Sequence, residues 1–176
     1  MTIELKRLEL ANRKWEIASS IDVADGSLEV PTSSGHYLWI SNDSISKHPK
    51  TEPKVLYVGQ SSNLNGRLTG YCGHSYKRED PVLRALFERV IAPELPPDVL
   101  KAVVVERKSP AKAQEWIRHQ VTFAWSQWDG PGRGKEENRL KNVLQPEFNA
   151  SAGWTAYGLL SPDSGDVVIG SKQRSE

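Results

Sequence analysis

Residues 55–71, VLYVGQSSNLNGRLTGY, constrain the fold more than any other part of the chain. Val55-Leu56-Tyr57-Val58 is a short apolar run suited to a strand, and Gly59 permits a sharp turn after it. Ser61, Ser62 and Asn63 carry helix N-cap chemistry, and Leu64, Leu68 and Tyr71 follow at helical spacing. A strand leading straight into a helix places the Tyr57 phenol near Arg67 and Tyr71. A phenol beside an always-charged guanidinium suits a phosphate group. The same residues also fit a plain strand, a glycine turn and a surface arginine, so the rest of the chain has to decide.

A second strand precedes this unit. Gly35-His36-Tyr37-Leu38-Trp39-Ile40-Ser41 is aromatic and β-branched after a Ser-Ser-Gly break. Residues 42–53 are polar and form a loop. Neighbouring strands usually pair, so the two runs predict an antiparallel hairpin that brings Tyr37 and Tyr57 into one neighbourhood.

Further along, Asp80 and Pro81 are an N-cap and a first-turn proline. The helix they open carries Leu83, Leu86, Phe87, Val90 and Ile91 on one face and stops before Pro93. The nearly continuous apolar run at residues 100–107, LKAVVVER, predicts a third, central strand. Ser109-Pro110 repeats the cap signal for a helix to about Trp125, with Ala113, Trp116, Ile117, Val121 and Ala124 inward. A short acidic helix at residues 136–144 ends before Pro146. The glycine-rich loop at residues 129–135 is not a phosphate loop: no glycine lies five residues before Gly134, and Glu136 stands where Ser or Thr is needed.

The ends are less legible. Leu5, Leu8, Asn12 and Trp15 fit one helical face, yet residues 3–6 alternate like a strand. Residues 27–30 look like a short strand stopped by Pro31. Two strand-like pieces, residues 155–160 and 166–169, precede a flexible end from Ser171. His74 sits alone in a polar, basic loop, where an imidazole is ordinarily just solvated.

A chain of 176 residues predicts one domain able to bury a core without metal or disulfide staples. The single cysteine, Cys72, excludes an internal disulfide and a Cys-rich zinc site, and fits a reducing, cytoplasmic setting. No apolar run reaches the length of a membrane span. A net charge of +1 neither indicates nor excludes a nucleic-acid partner by itself. Between Ile40 and Arg78, however, basic residues outnumber acidic ones.

Taken in order, Gly35-His36-Tyr37, Tyr57-Val58-Gly59, Arg67 and an acidic helix followed by Pro and Asn resemble the GIY-YIG endonuclease superfamily. Its signature is two short motifs on a hairpin, an Arg on the next helix, a metal-binding Glu and a late Asn. YVGQSSNLNGRL is similar to the second motif and its helix. ENRLKNVLQPEFN, from Glu137 to Asn149, resembles the closing segment of the excision-repair incision subunit's nuclease domain. The resemblance spans residues 35–149, leaving residues 1–34 and 150–176 as extensions. It departs from the family in four places: His36 replaces an apolar residue, Gln60 replaces a frequent Lys, the connection between the two motifs is longer, and a helix is added ahead of the acidic one.

The resemblance implies an α+β domain with a central three-stranded sheet flanked by helices. It implies a stand-alone DNA endonuclease of restriction or phage type, with double-stranded DNA as partner. A nicking or structure-specific repair nuclease, and a DNA-binding module without turnover, are the alternatives. Glu137 would hold Mg2+ or Mn2+ through a hard oxygen, and family spacing selects it over Glu136. Arg67 would grip the phosphate oxygens. Tyr37 is favoured as proton acceptor and Tyr57 for orienting water, although sequence does not separate them. Tyr71 would support the pair, and Asn149 would hold Glu137 or the backbone around it. Cutting both strands with one site per chain implies, by analogy, a homodimer or higher oligomer.

Overall fold

A computed structural model describes residues 6–46, 52–73 and 80–149. His74 and the strand-like pieces at residues 155–160 and 166–169 lie outside them. The N-terminal residues form a hairpin of β1 (Lys6–Leu10) and β2 (Arg13–Ser19). Its two-residue turn, Ala11 and Asn12, has φ of 53° and 57°, the left-handed conformation that matches strand twist in tight hairpins. Leu8, Leu10, Trp15 and Ile17 therefore alternate onto one sheet face, and the helical reading of this segment does not hold.

After the short helix α1 (Ser20–Ala24) come β3 (Gly35–Ser41), α2 (Asn42–Ser46) and β4 (Val55–Ser61). The helix α3 (Leu64–Tyr71) follows β4 directly, capped by Asn63, whose side chain accepts from Gly66 N–H at 2.9 Å. Asp80 caps α4 (Pro81–Leu86), which widens into a π-turn over Phe87–Ile91 and a 3-10 turn over Ala92–Glu94. Then come α5 (Pro97–Val105), α6 (Ser109–Gln120), β5 (Val121–Gln127) and α7 (Arg133–Leu144).

The fold is α+β, with five antiparallel strands in the order β1-β2-β5-β3-β4 rather than three. The N-terminal hairpin supplies the two additional strands. The third strand of the motif-bearing half is also not where the apolar run lies. Residues 100–105 are helical because Pro97 opens a first turn and Leu100 and Val103 bury one face, while Val99 and Val105 stay exposed. The strand is instead Val121–Gln127, in which Val121, Phe123 and Trp125 alternate inward. The helix expected to reach Trp125 stops at Gln120, and its cap position is Lys108, not Ser109. No strand forms at residues 27–30, although Leu28 and Val30 are buried in the core.

Each sheet face is covered differently. On one side Tyr37, Trp39, Leu56, Phe123 and Trp125 pack beneath α1, α3, α4, α5 and α6. On the other, Trp15, Leu38, Ile40, Val55, Val58 and Ala124 pack against Leu140 of α7. Strand β3 is thus buried on both faces, which explains its almost wholly apolar sequence. Its register with β4 shifts between Trp39 and Ile40, leaving Leu56 as the extra residue of a bulge. The bulge lets Leu56 and Tyr57 both lie with the helix-rich core, while Val55 and Val58 face α7.

Two motif glycines are required by close approach. A Cβ on Gly35 would meet Ser126 O at 2.4 Å and Leu64 Cδ1 at 2.8 Å. A Cβ on Gly59 would meet the Tyr37 ring and hydroxyl, Cζ and Oη both at 2.4 Å, because Tyr37 lies across its cross-strand partner. Gly59→Ala is therefore expected to overpack the site and cost about 1–3 kcal/mol in urea unfolding. Parental stability in that variant would contradict the packing of Tyr37 on residue 59.

Candidate active site

Three phenols and an indole form one cluster on the helix-rich face. Tyr37 and Tyr57 have ring centroids 6.2 Å apart, and Tyr37 and Tyr71 are 5.9 Å apart. Trp39 packs against Tyr57 at 5.1 Å and against Tyr71 at 4.9 Å, edge-on. The Tyr37 and Tyr71 hydroxyls hydrogen-bond each other at 2.8 Å. Both rings are buried, Tyr37 being 2% exposed, whereas Tyr57 is only half-buried. Burial pushes the Tyr37 and Tyr71 phenols far up. It also raises Tyr57, to about 12, with the charge of Glu137 the second cause.

The charged groups reach this cluster from three elements. Arg67, on α3, pairs with Asp80 at 3.2 Å, its side chain 42% exposed. The other carboxylate oxygen of Asp80 accepts the Val82 and Leu83 amides at 2.9 and 3.3 Å, so one residue caps α4 and holds the guanidinium. Glu137 comes from α7, across the edge strand β4; its side chain is 14% exposed and pairs with Lys141, one turn on, at 2.8 Å. The charges of Glu137, Arg67 and Asp80 all act on the Tyr57 phenol. Glu136 turns elsewhere. It takes two 2.8 Å bonds from Arg139 and lies 3.6 Å from Arg13 of β2. Adjacent carboxylates on one helix thus serve different neighbourhoods, as a 100° step requires.

Asn149, expected from sequence to hold Glu137 or the backbone around it, bonds instead to the backbone of β4. Its amide oxygen accepts Val58 N–H at 2.6 Å and its amide nitrogen donates to Val58 C=O at 3.0 Å. Phe148 N–H donates to Leu56 C=O at 2.8 Å, and Glu147 N–H to Val55 C=O at 3.3 Å. The segment after α7 therefore runs along the open edge of the sheet and satisfies the strand that carries Tyr57.

His36 is buried, at 0% exposed, and both ring nitrogens are bonded. Arg13 Nη1 lies 2.9 Å from Nδ1, and Arg133 C=O lies 2.8 Å from Nε2. A guanidinium only donates and a carbonyl only accepts, so the ring is neutral with its proton on Nε2. Arg13 itself lies between the Trp15 and Trp128 rings, 5.1 Å from each centroid.

Among the described residues no group of three or more His, Cys, Asp or Glu side chains could hold a metal ion. What the site offers is Glu137, whose charge acts on the Tyr57 phenol, and Asp80, already held by Arg67. A donor set of hard oxygens with one carboxylate fits an aquated Mg2+ or Mn2+ and not a thiolate- or imidazole-seeking metal. Tyr37, Tyr57, Tyr71 and Arg67 gather in one place, Glu137 faces it, and Asn149 stands behind it as a backbone partner. Sequence reading missed Asp80 as the Arg67 partner, Trp39 between the tyrosines, and Lys141. Only the last had a signal, four residues from Glu137 on one helix face.

No protein-family model, curated protein or solved structure matches the chain.

Burial lowers the His36 pKa, the Arg133 carbonyl opposes that, Arg13 adds to it, and Glu136 and Glu137 oppose it, with a net downward shift. The unfolded imidazole titrates near pH ~6.5. Stability is thus complete above that pH. It falls as pH drops from there toward the folded value, because only the unfolded chain takes up the proton. Melting temperature between pH 8 and 5 should decline below pH ~6.5, and the decline should be shallower in His36→Gln. Parallel profiles would remove His36 as the responsible group.

Proposed function

We propose that the chain is a metal-dependent endonuclease hydrolysing phosphodiester bonds in double-stranded DNA, of the GIY-YIG type and restriction-like in its cutting. The observation that carries this reading is that Arg67 from α3 and Glu137 from α7 lie close enough for both charges to act on the half-buried Tyr57 of β4. Three elements distant in sequence bring a phosphate-binding fork, a hard-oxygen ligand and a phenol to one edge of a sheet. That set matches what phosphodiester hydrolysis needs: a positioned water, neutralised phosphate charge and an aided leaving oxygen.

Arg67 binds the phosphate. At rest it pairs with Asp80, with the side chain 42% exposed, and bonds the Tyr71 hydroxyl; exposed ion pairs of that kind contribute only ~0.2–1 kcal/mol. A bidentate phosphate displaces such a partner readily. Glu137 would hold the divalent cation, which when bound supplies charge neutralisation and a more acidic water. Tyr57 positions the attacking water; as the phenol with solvent access it would first release its own proton to solvent and then, as phenolate, take the proton of the water. Neutralising Glu137 would remove the cause that ranks next after burial in holding its pKa up. The buried Tyr37–Tyr71 hydroxyl pair fixes the rings beneath it. Sequence favours Tyr37 as proton acceptor and Tyr57 for orienting water without separating them; here both roles are assigned to Tyr57. Two copies acting together would cut both strands.

The test is single-turnover cleavage of supercoiled plasmid in Mg2+, beside melting temperature. Tyr57→Phe should lose about 10²-fold or more in rate with little change in melting. Tyr37→Phe should instead lose about 1 kcal/mol of stability, the size of one hydrogen bond, with a smaller change in rate. A greater rate loss in Tyr37→Phe would return the proton to Tyr37, and full rates in both would remove the tyrosines from the chemistry. Arg67→Lys keeps the charge and loses the planar fork, so it should lose most of the activity.

A further inference from the structure

The two places where the motifs depart from the family pattern, His36 and Gln60, are cross-strand partners on β3 and β4. Both bond to the same residue. The His36 Nε2–H donates to Arg133 C=O at 2.8 Å. The Arg133 Nε–H donates to Gln60 Oε1 at 2.9 Å, and its Nη1 to Ser61 C=O at 3.1 Å. Arg133 opens α7, with Gly132 before it at a φ of 78° and no side-chain cap. A helix entered through a left-handed glycine without a cap depends on outside contacts to fix where it starts. Arg133 and Glu137 are four residues apart and so lie one above the other on one helix face. Whatever fixes Arg133 on the two motif strands therefore also fixes Glu137 one turn along the same helix face.

Resting on the nuclease reading above, we infer that His36, Gln60 and Arg133 form a positioning latch that holds Glu137 in register with Tyr57 for metal binding. Arg13 closes the latch from behind. It donates to His36 Nδ1 at 2.9 Å and to Ser126 Oγ at 2.8 Å, and so ties the N-terminal hairpin to the same imidazole. None of these residues touches phosphate or metal in this role. They act through the placement of one carboxylate. A supporting contact of this kind typically changes metal affinity or activity by 10–100-fold when removed.

The experiment compares the full chain with Arg133→Ala, Gln60→Leu and the double variant. Gln60 and Arg133 are both partly exposed, so these changes leave the buried His36 in place. Three quantities are read: the Mg2+ concentration for half-maximal single-turnover cleavage, amide exchange in the first two turns of α7, and melting temperature. The latch predicts a roughly tenfold rise in half-saturating Mg2+, faster exchange in α7, and a melting temperature close to that of the parent. The double variant should be no worse than Arg133→Ala, because both single changes break one shared bond. An unchanged Mg2+ dependence and unchanged exchange, in a parent that cuts, would overturn the latch alone. Rate losses that only follow a fall in melting temperature would overturn it too. A parent that does not cut in Mg2+ would overturn the nuclease reading and the latch with it.

Discussion

Tyr37 lying across Gly59 is the contact on which the rest of the arrangement depends. A side chain at residue 59 would collide with the ring and its hydroxyl, so this pair accepts only one combination of large and small. A one-residue slip would turn every side chain of β3 to the opposite face. It would put His36 in the helix-rich core and Tyr37 against α7. With the pair in place, Trp39 sits opposite Tyr57 and His36 opposite Gln60. The first alignment builds the aromatic cluster and the second builds the seat for α7.

The edge position of β4 then decides what can reach the tyrosine. A central strand would have its backbone satisfied by neighbours on both sides and leave no approach around it. Here, among the described residues, Glu147, Phe148 and Asn149 bond the outer side of β4 and replace a neighbouring strand. The segment that satisfies the edge is the direct continuation of α7. One stretch of chain thus delivers the carboxylate from one side of β4 and closes the ladder on the other. Covering the edge in this way also removes a template for unwanted strand pairing.

How far the sequence foretold this depends on where its signals were local. The β3–β4 pairing, the Asn63 cap of α3 and the Asp80 cap follow from short-range patterns and form as expected, but the strand runs on through Gly59 to Ser61 instead of turning at the glycine, because Gly59 is paired with Tyr37. The N-terminal hairpin was ambiguous because its tight turn uses Ala11-Asn12 and not Asn-Gly. An alanine at φ 53° carries no turn signature. The apolar run at residues 100–105 misled because a short continuous run fits a buried strand or a helix equally well. Leu100 and Val103 settle it only through their burial. Val121 and Ala124 continued the helical spacing of α6, which hid the strand that takes over at Val121. In the candidate site, the residue types were legible from motif order. The division of labour was not, because Tyr37 lies on an inner strand and is buried while Tyr57 lies on the edge strand and is half-exposed, and the strand order is a long-range outcome.

The central claim is that Glu137, and not its neighbour Glu136, supplies a metal-dependent nuclease with its carboxylate. The most direct measurement is conversion of supercoiled plasmid by the full chain in Mg2+ and in EDTA, beside Glu137→Ala and Glu136→Ala. The account predicts cutting only in Mg2+, no cutting by Glu137→Ala with DNA binding kept, and activity retained by Glu136→Ala. An active Glu137→Ala, or cutting that persists in EDTA, would contradict it.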